Sequence, residues 1–201
     1  MQIIELILDE NEEMDGVQAI SIVDEPAIES DFIALKKEVK LATVDKEKRI
    51  LMGAALIPNK HIYRRNKDKE YYIFFSSDTV NKASQIYLKK ARQSNTTLDH
   101  QGEVKGLTVV ESWIVTNPEM DKSQHFGLNV PKGTWMVSMK VDNDEIWTDF
   151  VKTGKVKGFS IEGYFADKIE MSSKKIEVKE KKEITTKEAD LIEKIKNIIN
   201  G

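Results

Sequence analysis

The chain of 201 residues contains no cysteine. Disulfides, thiolate nucleophiles and cysteine-ligated zinc are thereby excluded, and serine chemistry gains by elimination. Histidine is scarce as well: His61, His100 and His125 are scattered, with no His-x-x-x-His spacing, so they form no ligand set for a metal. The acidic trio Asp142, Asp144 and Glu145 reads as helix-capping material. No glycine-rich phosphate loop is present, and no cofactor is expected. Neither sign of charge dominates, because 31 basic side chains face 34 acidic ones for a net charge of −3, which removes any general electrostatic attraction to nucleic acid. One local basic run, Lys60 to Lys69 with Tyr63, Tyr71 and Tyr72 around it, is interrupted by Asp68 and Glu70 and reads as a solvated loop. No apolar stretch approaches the ~20 residues of a membrane span, and the first residues, Met1 to Asp9, carry neither a basic flank nor a cleavage pattern. A soluble, unexported protein without a membrane partner is expected.

What the chain does contain is a succession of short β-type runs. Ile3 to Leu8 and Val17 to Val23 are two strands separated by acidic turn material, and Asp24-Glu25-Pro26 closes the second. Ala27 to Lys40 is open between helix and loop. Leu41 to Val44 and Ile50 to Ile57 flank a polar stretch and predict a hairpin ended by Pro58; Tyr71 to Phe75 is a further strand. The period then changes. Val80, Ala83, Tyr87 and Ala91 share a helical face behind Ser77 or Asp78 as cap, and Lys89, Lys90 and Arg92 suit the negative end of that helix. After a polar loop, Leu107 to Val115 and Trp135 to Val141 return to strand. Asp142 or Asn143 can cap a short helix through Lys152, stopped at Gly154, and Val156 to Ile169 closes the β-rich part. The expected architecture is a β-rich α+β domain over 1–170 with two helices. Beyond Met171 a Lys/Glu-rich linker and a short amphipathic helix built on Leu191, Ile192, Ile195, Ile198 and Ile199 occupy 171–201.

Two segments stand out chemically. Gly158-Phe159-Ser160-Ile161-Glu162-Gly163 sets a serine in an extended apolar run, and Leu98-Asp99-His100-Gln101 sets a histidine just before a strand. A serine hydroxyl needs a neighbouring base to become a nucleophile, and histidine is the usual one because its pKa lies near neutrality. His61 lies in a polar, basic run and His125 in a loop, so His100 is the best placed of the three. The ordinary alternatives are a structural or surface histidine and a small residue on a strand. A nucleophile elbow is excluded, since that turn requires glycine two positions after the serine and Glu162 stands there. Alternation puts Ser160, Glu162 and Tyr164 on one strand face, expected to look outward, with Phe159, Ile161 and Phe165 facing the core. Along Leu107 to Val115, Glu111 shares a face with Val109 and Trp113. A carboxylate so placed is either an orienting partner for an imidazole or one half of a salt bridge to a lysine.

Taken in order, Val23-Asp24-Glu25-Pro26-Ala27, Leu56-Ile57-Pro58-Asn59, Tyr63-Arg64, Asp99-His100, Val110-Glu111-Ser112-Trp113-Ile114-Val115, Gly133-Thr134-Trp135-Met136-Val137 and Gly158 to Gly163 resemble the XkdF-like branch of phage prohead (capsid maturation) serine proteases. The resemblance covers roughly Val17 to Ile169. It implies a closed β-barrel similar to herpesvirus assemblin with peripheral helices, and a serine endopeptidase that cleaves scaffold and capsid proteins inside the assembling prohead in the host cytoplasm. The implied partners are the scaffold protein, the major capsid protein and the portal, with a homodimer as one candidate state. Ser160 would be the nucleophile and His100 the base. Assemblin-like enzymes use a second histidine after the serine, and none follows His125 here; Glu111 is the expected third member, with Glu162, Asp99 or a bare dyad behind it. The assemblin-type arginine downstream of the serine is also missing, since Arg49, Arg64, Arg65 and Arg92 all precede Ser160, which leaves backbone amides to stabilise the oxyanion. The competing expectations are a non-catalytic capsid-assembly or scaffolding protein on the same barrel, and a hydrolase of small esters.

Overall fold

The computed structural model describes residues 2–8, 15–24, 42–45, 48–66 and 69–168. The expectations for 27–40 and for the tail over 171–201 lie outside them. The chain divides into two units at Phe165 and Ala166. The second is described only over 166–168; Ser160, His100 and the apolar core lie in the first.

Strands β1 (Gln2–Ile7), β2 (Gly16–Val23), β3 (Ala42–Asp45), β4 (Ile50–Leu56), β5 (Ile62–Asn66) and β6 (Lys69–Phe75) precede helix α1 (Ser77–Lys89). They are followed by β7 (Thr96–Leu98), β8 (Leu107–Ile114), a single turn α2 (Lys122–His125), β9 (Trp135–Val141), a π-helical segment over Ile146–Val151, and β10 (Gly158–Tyr164). Helix α1 is capped by Ser76, one residue before Ser77 and two before Asp78. The Ser76 hydroxyl accepts from the Thr79 amide, Asp78 lies in the first turn and Lys89 in the last, so cap and dipole agree. Val80, Ala83 and Tyr87 form its buried face, whereas Ala91 falls beyond the helix at φ 53°. Asn143 supplies the second cap, its side chain accepting from the Ile146 amide at 3.0 Å.

Three sheets result: one holds β1, β6 and β5 in that order, one β10–β2–β7, and one β3–β4–β9–β8. β1 runs parallel to β6 and β2 parallel to β7; the other pairs are antiparallel. The architecture is β-rich with few helices, and among the described residues no sheet closes into a barrel. No described helix is long and apolar enough to cross a membrane.

One apolar core joins all three sheets to α1. Ile20 and Ile22 of β2, Leu51 of β4, Phe75 of β6, Tyr87 of α1, Trp135 of β9 and Phe159 of β10 belong to it. The Tyr87 and Trp135 rings meet edge to face at 5.4 Å between centroids, the favoured aromatic geometry. Met52, Ala54 and Met136 face a second, smaller cluster with Leu128 and Val130. The third sheet is therefore covered on both sides, which explains why β4 carries no charged or hydroxyl side chain along its length.

Two short elements escaped the sequence pattern. β5 occupies the run expected to be a solvated loop: Ile62 is buried, Arg65 lies opposite Glu70, and pairing with β6 supplies the backbone partners. β7 is three residues of a stretch expected to be polar loop; Thr96 and Thr97 are buried because they pair with β2. Both are strands by tertiary pairing, against weak local signals.

Strand β10 lies unusually close to β2. A Cβ at Gly163 would stand 2.9 Å from the Val17 Cα and would collide with the Gly16 carbonyl oxygen, and a bulge interrupts the register between Glu162 and Gly163. Only glycine fits there. Gly163→Ala is expected to lower stability by about 1–3 kcal/mol, read as a drop in the denaturant midpoint at unchanged m; an unchanged midpoint would show that β10 can withdraw from β2.

Candidate active site

Strand β2 sits between β10 and β7, and its register determines which side chains meet. Ser160 of β10 lies directly opposite Ser21 of β2, and Ser21 is in register with Thr97 of β7. Cross-strand partners point to one face, so Ser160, Ser21 and Thr97 form a row across the sheet. Glu162, two residues along β10, occupies the same face opposite Ala19. With only a methyl group beneath it there, the Glu162 carboxylate reaches across β2 and accepts the Thr97 hydroxyl.

His100 is delivered to this face by a tight turn. Asp99 and His100 have φ of 47° and 59°, and the Gln101 amide donates to the Leu98 carbonyl at 2.8 Å, the arrangement of a type I′ turn. Two successive non-glycine residues in the left-handed region are costly, though Asp and His are among the more tolerant types. The turn is held in place by its bonds to β2. The Asp99 amide donates to the Ile22 carbonyl at 3.0 Å, the Asp24 amide to Asp99 Oδ1 at 3.0 Å, and the His100 amide to Ser21 Oγ at 3.1 Å. Ser21, fully buried, passes its own proton toward the Thr97 carbonyl at 3.3 Å.

The imidazole reaches Glu162, with Nδ1 3.0 Å from Oε1. An ionised carboxylate can only accept, so in this bond Nδ1 carries the hydrogen and Nε2 keeps its lone pair for a proton. Ser160 is 3 % exposed, which corrects the expectation that its strand face looks outward. β10 is buried at its first half and emerges only toward Gly163 and Tyr164. Ser160 Oγ makes no hydrogen bond among the described residues, and the residue lines a cavity of about 180 Å³.

Glu111, the expected third member, is elsewhere. Its carboxylate binds Lys122 Nζ at 2.6 and 2.8 Å on the outer side of β8. The hydrogen bonds from the Lys122 ammonium hold it below the usual carboxylate range. The salt-bridge alternative is the one realised, and the carboxylate beside His100 belongs to Glu162. Asp99, the other candidate, spends its side chain on the Asp24 amide. His61 and His125 are both exposed, the former against the Tyr72 and Phe74 rings and the latter at the end of α2. Ser21 and Thr97 were not anticipated. The signal for Ser21 was available: a serine between Ile20 and Ile22 in a mostly apolar strand is the same pattern that drew attention to Ser160. Thr97 had no such signal, because its strand exists only through β2.

A family model described as "Putative phage serine protease XkdF" matches residues 38–170, a span that holds Ser160, His100 and Glu162. "Uncharacterized protein YqbD" of Bacillus subtilis (strain 168) is 31% identical over 186 residues, covering 90% of this chain and 53% of that protein. The chain thus spans about half the length of this curated relative. No solved structure matches it. With more than half of its residues inside the match, and a serine, a histidine and a carboxylate gathered on one sheet face within it, the chain belongs to the XkdF family of phage serine proteases.

Proposed function

We propose that this chain is a serine endopeptidase that processes phage scaffold and capsid proteins, itself included, inside the assembling prohead, with Ser160 as nucleophile, His100 as base and Glu162 as the carboxylate that orients the base. The observation that carries this reading is the 3.0 Å bond between His100 Nδ1 and Glu162 on the sheet face to which the register assigns Ser160. It leaves Nε2 as the proton acceptor, which is what a serine nucleophile requires. The same proposal includes a barrel-type enclosure, supported by one apolar core common to all three sheets.

The chemistry is acyl transfer. His100 takes the Ser160 proton as Oγ attacks the scissile carbonyl, and the resulting imidazolium, stabilised by Glu162, returns that proton to the leaving amine. Water then attacks the acyl-enzyme with the same imidazole as base, which releases the acid and restores the hydroxyl. Glu162 takes no proton in these steps; its work is to hold tautomer and ring orientation. Thr97, hydrogen-bonded to the same carboxylate oxygen, steadies Glu162 in turn.

Co-expression of the full chain with the neighbouring scaffold and capsid genes is expected to yield processed products, and Ser160→Ala to reduce processing by about 10³-fold or more. Identical full-length bands from wild type and Ser160→Ala, or identical processing by both, would return the chain to the non-catalytic assembly reading. The two carboxylates separate in a paired test on the same bands. Glu162→Gln removes the orienting charge and is expected to cost about 10²-fold or more. Glu111→Gln removes only a surface ion pair and should leave processing within about twofold; the reverse order would restore Glu111 as the third member.

A further inference from the structure

Ser21 stands in the middle of the sheet that carries the site, fully buried and directly opposite Ser160. Its hydroxyl is used in both directions. The turn is closed by the Gln101 amide on the Leu98 carbonyl, so the amide of its third residue, His100, takes no part in the closing bond. That amide needs an acceptor from elsewhere, and Ser21 Oγ supplies one at 3.1 Å. The Ser21 proton is directed to the Thr97 carbonyl at 3.3 Å; the Ile22 carbonyl, 3.4 Å away, already accepts the Asp99 amide. Thr97 in turn donates its hydroxyl to Glu162 Oε1, the same oxygen that His100 Nδ1 meets at 3.0 Å. These bonds close a ring that leaves His100 through its backbone and returns to it through its imidazole.

We propose that Ser21 is a positioning residue of the base: through this ring it sets both the place of the His100 backbone and the carboxylate that the imidazole meets. The assignment rests on the reading of His100 as the base for Ser160. The His100 side chain is 43 % exposed, so packing does not fix its ring and orientation has to come from bonds. Glu162 holds one end of the side chain at Nδ1, and Ser21 holds the other end at the backbone amide. His100 is kept at φ 59°, a conformation that relaxes when its anchor is lost. A shift of about 1 Å at the reacting atoms is enough to slow chemistry about 10²-fold. The side chain at position 21 must accept from an amide and donate to a carbonyl on one atom, in a site closed to solvent. A hydroxyl does both, alanine does neither, and asparagine is larger. A serine that only satisfied a stray amide would behave differently: its loss would weaken the fold and leave the imidazole on Glu162.

Two readouts on the full-length chain test this. Nitrogen NMR of the His100 ring needs no substrate: wild type is expected to hold the hydrogen on Nδ1 in one slowly exchanging signal, and Ser21→Ala to lose that signal to a mixture of tautomers. The second readout is the rate at which a fluorophosphonate labels Ser160, where Oγ bonds to phosphorus, fluoride leaves and the proton passes to His100. Ser21→Ala is expected to label about tenfold or more slower. Ser21→Thr and Ser21→Val have nearly one shape and differ in the hydroxyl, so the former should outpace the latter about tenfold whatever the added bulk does to both. Thr97→Val opens the same ring at another point; combined with Ser21→Ala it should slow labelling no more than about twofold beyond the slower single variant. Matching amide spectra in the β3–β4–β9–β8 sheet establish that the variants keep the fold. An Nδ1 hydrogen that survives Ser21→Ala, parity of Ser21→Thr with Ser21→Val, or additive effects in the double variant would overturn the assignment. Uniform labelling of Ser160 across all variants overturns it too and leaves the protease reading intact. Wild type that never labels at Ser160, with the Nδ1 signal still dependent on Ser21, overturns the protease reading and leaves Ser21 holding the imidazole.

Discussion

The register of β2 against its two neighbours is the constraint on which the rest of the site depends. β2 pairs antiparallel with β10 and parallel with β7, and it contributes Val17, Ile20 and Ile22 to the core. A strand with one face in the core cannot slip by a residue without exposing that whole set. Once it is locked, Ser160 must stand opposite Ser21 and Ser21 beside Thr97. Gly163 sharpens the lock by letting β10 approach Gly16 and Val17 more closely than any side chain would permit. The bulge beside it falls where the strand passes from buried to exposed residues, with Glu162 at the transition.

His100 depends on the same strand in another way. Its turn holds two residues at positive φ, a conformation that persists only where surroundings over-determine it. Three hydrogen bonds tie the turn to Ser21, Ile22 and Asp24 at the end of β2, and Lys157, just before β10, donates its amide to Val23 and pairs its ammonium with Asp24. Histidine is thus carried by the turn after β7 and glutamate and serine by β10, but the common frame of reference is the strand between them. A flexible loop could carry the same three residue types without holding the Nδ1 to Oε1 bond, because each added degree of freedom opposes a single 3 Å contact.

The cavity beside Ser160 belongs to a different part of the molecule. Its walls come from β1, β4, β5 and β6 as well as β10, so the serine stands where the β10–β2–β7 sheet meets the other two.

Much of the fold was legible because local pattern and tertiary role coincide. β9, α1, the β3–β4 hairpin and the strand carrying Ser160 all follow from alternation, apolar periodicity and capping. The candidacy of Ser160 and His100 was also legible, through the absence of cysteine and the ordered set of motifs. What the residues alone did not determine is which carboxylate faces the imidazole, since Glu111 and Glu162 both lie among strand residues and spacing does not distinguish them. That choice was made by pairing: β8 lies against β9 and turns Glu111 toward Lys122, whereas β10 lies against β2 and carries Glu162 over Ala19 to His100. The short strands β5 and β7 have the same origin, because polar residues become strand when a neighbour offers backbone partners that water would otherwise supply. Sequence determined the inventory of chemical groups and the faces on which most of them lie; only the tertiary structure decided which faces meet, because strand register is a relation between segments distant in the chain and no local pattern encodes it.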